Sequence, residues 1–421
     1  MKVNEQTHFG RPGDFMTVRH LTIHGSNFEI GQTLGKLAIE RYGRTPANVS
    51  AIPIYARTRR IYIRRHYPIH WERMKGVAAA FGLDPEDDRY DLSGLAYLID
   101  LPAPAFGCSA VYYPPSTSVT GDGYLSRNYD FSVGSIADMM QVPLPPAVKQ
   151  QLRPVMSEPY LMEWHPEDGG YASLALHAFD TLGGTLEGLN SAGLVVSILA
   201  DNEAMWELGP KLEFHPGPQQ AIGLHELAVM RLLLDTCATA DEAKEALLTV
   251  KQYYRFVPNH YIVADKAGHS FVYENSTGRN VQHVIDGAGQ PQVLTNHQLY
   301  KHSTPETIPG GPPTIENFGS FWRYRQLSDQ IASHQGGFTE EEMKANNDCV
   351  NSLMVVEAAT RADPAQRDTF YGVNARTVWH SLYNQQAGTV EASFYLGEDV
   401  QADGTRRERR SDYLTVALDA V

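Results

Sequence analysis

Residues 101–107, LPAPAFG, separate two stretches whose apolar residues recur with different periods. Before them LTIHG reads as a strand, and FEIGQTLGKLAIERYG and HWERMKGVAAAFG read as helices, the second with a glycine at its C-terminus. Two prolines and a glycine do not continue a helix, so LPAPAFG is predicted to be an exposed connector. Directly after it, CSAVYY, the turn-forming PPSTSVTGDG and YLSRNYDF predict two strands joined by a loop. That hairpin begins at a cysteine, Cys108.

Further strands are predicted in YASLALHAF, GTLEGLN and GLVVSIL, with Asn190 to Gly193 as the turn between the last two. HELAVMRLLLDTCATADEAKEALL has helical spacing, breaks near Cys237, and restarts at a cap supplied by Thr239 or Asp241. Cys237 then reads as a core residue. HYIVAD, HSFVYEN and QVLTNH return to strand, FWRYRQLSDQIASH to helix, and TVWHSLYN, EASFYLG and YLTVALDAV close the chain as strands. Helices, hairpins, a helical pair and hairpins again form the order of an α+β protein, with antiparallel sheets covered by helices. A doubly wound parallel sheet would alternate strand and helix.

The 421 residues, 42% apolar and 10% aromatic, suffice for a sizeable core. No run approaches the roughly 18 to 20 apolar residues of a membrane span, and MKVNEQTHFGRPGDF lacks a secretory pattern, so no membrane partner and a cytoplasmic location are expected. A formal charge of -14 argues against a nucleic-acid partner and fits a small organic substrate. The three cysteines, Cys108, Cys237 and Cys349, form neither a disulfide framework nor a zinc motif. GQTLGKL is not a phosphate loop and no HExxH is present, so no cofactor or metal is expected. Two basic clusters, RTRRIYIRR and RRERR, read as solvated faces or ion-pair partners, with a phosphate-rich ligand such as coenzyme A as the sharper alternative.

The chemistry centres on Cys108. The unhindered Gly107 carbonyl before it invites attack by the neighbouring thiol, and glycine also permits backbone conformations closed to other residues. Hydrolysis of the resulting thioester would release Cys108 as a new N-terminus. Its α-amino group, with an ordinary pKa near 7.7 to 8.0, could then take the thiol proton. The residues alone leave alternatives open: Cys108 as a buried structural thiol, or paired with His297 as a Cys/His dyad; Arg127 and Asp130 as a sheet-surface ion pair; Asn190 and Asn296 as turn residues.

FGCSAVYY, the turn VTGDG and YLSRNYDF together resemble the nucleophile hairpin of the choloylglycine hydrolase-like N-terminal-nucleophile hydrolases. The nearest branch is the acyl-coenzyme A:isopenicillin N acyltransferase-like proteins. Arg127 and Asp130 match its Arg-x-x-Asp, with Asn128 in the Arg-Asn-aromatic-Asp form. GSNFEIGQTLG, GLNSAGL, LTNH and SFWRY resemble further motifs of the branch in the same order.

The resemblance implies a four-layer αββα sandwich. Residues 1–107 would be a mainly helical pro-segment that remains bound after cleavage between Gly107 and Cys108, and residues 108–421 the catalytic domain. It further implies that Asp130 binds the freed amine, Arg127 orders the nucleophile's surroundings, Asn190 and Asn296 serve the oxyanion hole, and Arg323 completes the polar shell. The implied reaction is hydrolysis of a linear amide through a thioester on Cys108. Acyl transfer from acyl-coenzyme A or an amide is the alternative, and a catalytically silent scaffold is an alternative of another class. The interval from Cys108 to Arg127 is longer than in the bile-salt hydrolases, so their substrate is not carried over. Self-association into a homo-oligomer is left open.

Overall fold

The computed structural model describes residues 1–97, 107–139, 143–149, 152–208, 220–255, 257–276, 281–401 and 406–418. The predicted connector before Gly107 lies outside the described residues. In chain order the strands are β1 (Lys2–Phe9), β2 (Val18–Gly25), β3 (Gly107–Tyr113), β4 (Tyr124–Ser132), β5 (Tyr160–Pro166), β6 (Ser173–His177), β7 (Thr185–Asn190), β8 (Val195–Ala200) and β9 (Leu224–His225). They continue with β10 (Gln252–Tyr253), β11 (Asn259–Ala264), β12 (Ser270–Asn275), β13 (Gln282–Asp286), β14 (Gln292–Leu294), β15 (Ala375–Asn384), β16 (Thr389–Val400), β17 (Arg406–Arg410) and β18 (Leu414–Ala417).

One sheet runs β1-β2-β5-β6-β7-β8-β11-β12-β13; the other runs β14-β3-β4-β15-β16-β17, with β18 also on β16. Every pairing is antiparallel except β2 with β5 and the two-residue β9–β10 ladder. The helix Asn27–Tyr42 packs on β2, Glu226–Thr236 on β7 and β8, and Ala240–Thr249 on β11 and β12. On the second sheet, Ser320–Ser333 covers β14 and β3, while Glu340–Asp348 and Ser352–Ala362 cover β4 and β15. The inner faces meet where β3 crosses β8. This is the four-layer αββα sandwich that the motifs implied; in its main core Tyr112, Leu174 and Trp379 lie between the sheets, while Trp164 and Val196 pack under the helices.

Several elements escaped the sequence reading for local reasons. KVNEQTHF has no apolar face, and as the outermost strand β1 is exposed along most of its length. RRERR forms edge strand β17, whose alternation is concealed by charge. The polar helix Glu340–Asp348 carries few core residues, although Thr339 and Glu342 form a reciprocal cap at its start. Most of the arginines in the two basic clusters find carboxylates: Arg59 meets Asp91, Arg60 lies 2.6 Å from Asp88, Arg64 meets Glu86, and Arg406 lies 2.9 Å from Glu398.

The segment before Cys108 is more than a helical layer. Its strand β2 pairs with β5 from Arg19↔Tyr160 to Gly25↔Pro166, so it forms part of the first sheet. Helices Asn27–Tyr42 and Pro68–Phe81 touch through their backbones, since a Cβ on Gly31 would fall 2.0 Å from the Arg73 carbonyl oxygen. That contact sets Arg73 against Asp235 of the helix Glu226–Thr236: Arg73 Nη2 donates to Asp235 Oδ1 over 3.1 Å, Arg231 lies 2.9 Å from the same oxygen, and Tyr67 donates to Oδ2. Trp164 lies beneath both guanidinium groups. No helix among the described residues is long and apolar enough to cross a membrane.

All three charges of this cluster are buried, so removing the single anion strands two cations. Asp235→Ala is expected to destabilise the chain by roughly 3–5 kcal/mol, measured by denaturant unfolding in the Cys108→Ala protein.

Candidate active site

The β3–β4 hairpin places Gly107 opposite Asp130, Cys108 opposite Tyr129 and Ala110 opposite Arg127. Because side chains alternate along a strand, Arg127 shares the face of Cys108 whereas Asp130 lies on the other face. Both are fully buried. They do not form the surface ion pair that their spacing also permitted.

Arg127 reaches from β4 into the facing sheet. Its Nη1 donates to the Leu186 carbonyl over 3.0 Å and meets Glu187 Oε2 at 2.6 Å; its Nη2 donates to the Ile198 carbonyl and lies 3.6 Å from Cys108 Sγ. Burial by itself would lower the Arg127 pKa, but Glu187 and the Cys108 sulfur outweigh it and hold the guanidinium charged. Burial raises the Cys108 thiol pKa, Arg127 opposes that shift, and Asp130 adds to it.

A second group of donors and acceptors surrounds the backbone of Cys108. Its N–H donates to Asn296 Oδ1 over 2.7 Å, and Arg323 Nη2 donates to the same oxygen over 2.7 Å. Arg323 Nη1 also donates to the Cys108 carbonyl and, over 2.9 Å, to Ser109 Oγ. Asn296 Nδ2 donates to the Ala200 carbonyl over 2.8 Å, tying the second sheet to the end of β8. One of its amide hydrogens is left for another acceptor.

Asp130 Oδ1 accepts from Thr377 over 2.5 Å, while its buried Oδ2 has no hydrogen-bond partner among the described residues. Burial raises the Asp130 pKa from 3.8 to about 6, against the attraction of Arg323 and the Thr377 hydrogen bond. The free oxygen borders Gly107: a Cβ there would fall 2.8 Å from Oδ2 and 2.5 Å from the Phe318 ring. Gly107 has no positive φ, so glycine is required for space rather than for a left-handed backbone. A cavity of about 70 Å³ adjoins Cys108, with Tyr129, Phe131, Phe179, Leu186 and Ile198 among its walls.

The structure therefore brings Gly107, Cys108, Arg127, Asp130, Asn296 and Arg323 together. Asn190 is the exception, and the expectation for it is corrected. It closes β7 as a turn residue, its Oδ1 accepting the N–H groups of Ala192 and Leu194. Its Nδ2 donates over 3.0 and 2.7 Å to the carbonyls of Leu234 and Cys237, which leaves no amide hydrogen for an oxyanion, and it lines a separate cavity.

His297 hydrogen-bonds through Nδ1 to Ser320 and Thr295, is not among the residues lining the Cys108 cavity, and has its pKa pushed well below 6.5 by burial. The sequence reading missed Glu187. Its signal was a lone acidic residue in the predicted strand GTLEGLN, which cannot be buried without a partner.

Two outcomes follow. Asn190→Ala should cost roughly 1–3 kcal/mol of stability by stranding helix carbonyls, while Cys108 labelling by iodoacetamide stays at the wild-type rate. The raised Asp130 pKa means that the folded protein binds the proton more tightly than the unfolded chain. Its contribution to stability is thus complete below the unfolded value and lost as pH rises through about 6. In denaturant titrations of the Cys108→Ala protein, adding Asp130→Asn should leave stability little changed below pH ~4 and raise it by roughly 2–3 kcal/mol above about 6.

A sequence model of the acyl-coenzyme A:6-aminopenicillanic acid acyl-transferase family matches residues 118–394, more than half of the chain, and spans every candidate position after Cys108. Among solved structures, a mutant conjugated bile acid hydrolase from Clostridium perfringens is 14% identical, with 72% of this chain and 92% of that chain covered at a TM-score of 0.43. Penicillin V acylase from Agrobacterium tumefaciens is 17% identical, with 68% and 82% covered at a TM-score of 0.39. No curated protein matches the chain. The match over residues 118–394 identifies the chain as a member of the acyl-coenzyme A:6-aminopenicillanic acid acyl-transferase family.

Proposed function

We propose that the chain cuts itself between Gly107 and Cys108 and then hydrolyses a linear amide through a thioester on Cys108. Family membership carries the coarser statement, an enzyme of amide hydrolysis or acyl transfer. The observation that most favours the finer reading is the unpartnered, buried Oδ2 of Asp130 beside Gly107, an acceptor set where cleavage would create a cation.

In the first stage Cys108 Sγ attacks the Gly107 carbonyl carbon and gives up its proton, which balances the one that the departing nitrogen takes up. The Gly107–Cys108 C–N bond breaks, its nitrogen takes up a proton, and water hydrolyses the thioester to leave a Gly107 carboxylate. The freed amine then has Asn296 Oδ1 and Asp130 Oδ2 as acceptors. Residues 1–107 remain bound as a second chain, because β2 is paired along β5 and Arg73 is buried against Asp235.

In the second stage the amine takes the thiol proton and Sγ attacks the substrate carbonyl. Asn296 Nδ2, with its remaining hydrogen, donates to the developing oxyanion, a contribution on the order of 3 kcal/mol for one such donor. The amine leaves with a proton, and water releases the acid from the thioester. The apolar cavity walls suit an apolar acyl group. Most arginines of the two basic clusters are engaged by carboxylates, which favours water over a coenzyme A thioester as the other reactant.

Intact-mass measurement with N-terminal sequencing tests the first stage. Wild type should give two fragments, the second beginning at Cys108, and Cys108→Ala a single uncut chain. Gly107→Ala should cut at least tenfold more slowly, because its methyl group meets Phe318 and Asp130. An uncut wild type would refute self-cleavage and shift weight to a silent scaffold.

A further inference from the structure

Glu187 stands on β7, in the sheet opposite Cys108, and neither it nor Arg127 is exposed. Its Oε2 is taken by Arg127 Nη1 at 2.6 Å. Its Oε1 accepts from three residues of β15: Trp379 Nε1 at 3.1 Å, Ser381 Oγ at 2.5 Å and Tyr383 Oη at 3.5 Å. Trp379, Ser381 and Tyr383 alternate along β15 and therefore share one face. The indole and guanidinium can only donate, and they occupy different oxygens, so the group between them must accept at both ends. Glutamine cannot: wherever its –NH₂ is placed, it opposes either Arg127 or Trp379.

We propose that Glu187, which no sequence motif singled out, is the positioning residue that aims Arg127 at the Cys108 sulfur, and that it does so only as a carboxylate. The inference rests on Cys108 as the nucleophile. Arg127 Nη2 lies 3.6 Å from Sγ, whereas Nη1 faces Glu187, so the cationic edge of the pair is turned toward the thiol. The Tyr129 ring, stacked on Trp379, lies against the guanidinium and limits its swing.

Positioning and a bare through-space charge make opposite predictions. If Glu187 acted only as a distant negative charge, neutralising it would strengthen the net positive field at sulfur and lower the pH at which the thiol ionises. If it holds Arg127 in place, neutralising it releases the guanidinium and raises that pH.

The test is iodoacetamide labelling across a pH series, with the peptides of Cys108, Cys237 and Cys349 followed separately by mass spectrometry in wild type, Glu187→Gln and Ser381→Ala. In Glu187→Gln the Cys108 midpoint should move upward by about one unit, so that labelling near neutral pH falls about tenfold and recovers at high pH. Ser381→Ala, which removes one of three donors and keeps the ion pair, should move it the same way by less. Cys237 and Cys349 should label as in wild type. A loosened fold speeds labelling at all three cysteines at every pH; in that event Ser381→Ala decides. A Cys108 midpoint that is unchanged or lowered in the variants overturns the role of Glu187 alone. A wild-type Cys108 that labels no faster near neutral pH than buried Cys237 removes the nucleophile reading, and this inference with it.

Discussion

The contact between Arg127 and Glu187 joins the two sheets where the candidate chemistry is located. Each member comes from a different sheet, and each is shielded from water, so the pair meets a desolvation cost comparable with its attraction. It is therefore better understood as a device for geometry than as a source of stability. The carboxylate is tied down by β15, and the guanidinium by the carbonyls of Leu186 and Ile198. With both ends held, the distance from Arg127 to the sulfur follows from the spacing of the sheets.

The rest of the site has the same character. Asn296, just beyond β14, binds the Cys108 N–H on one side and the Ala200 carbonyl at the end of β8 on the other. Arg323, from a helix outside the second sheet, donates to the Cys108 carbonyl. Asp130 stands apart, with one oxygen satisfied and one bare in a setting that favours its neutral form. Such an orphan is costly when buried, and a newly formed α-amino group would supply the missing partner.

The segment before Cys108 belongs to the same architecture. It supplies two strands of the larger sheet and the arginine that neutralises Asp235 and lies over the Trp164 ring. A break in the chain at residue 107 would leave these contacts intact, because none of them passes through the connector.

Much of this was legible in the sequence wherever it depended on local pattern. The change of period at 107 and the hairpin beginning at Cys108 could be read from strand alternation and turn chemistry, whereas Arg127, Asp130, Asn296 and Arg323 were singled out by the resemblance of their motifs. Which face each residue occupies and what it meets required the assembled sheets. Asn190 lies in a motif of the right form, yet the turn and the carbonyls of Leu234 and Cys237 consume its amide. Glu187 shows no more in sequence than a charge within a strand, and Arg127 meets it only because β4 and β7 face each other across the core. Strand β1 forms without an apolar face because β2 supplies its hydrogen bonds. Period and turn chemistry act within a few residues and so are written locally. Partnership between distant strands depends on sheet order, register and facing, which only the tertiary structure decided.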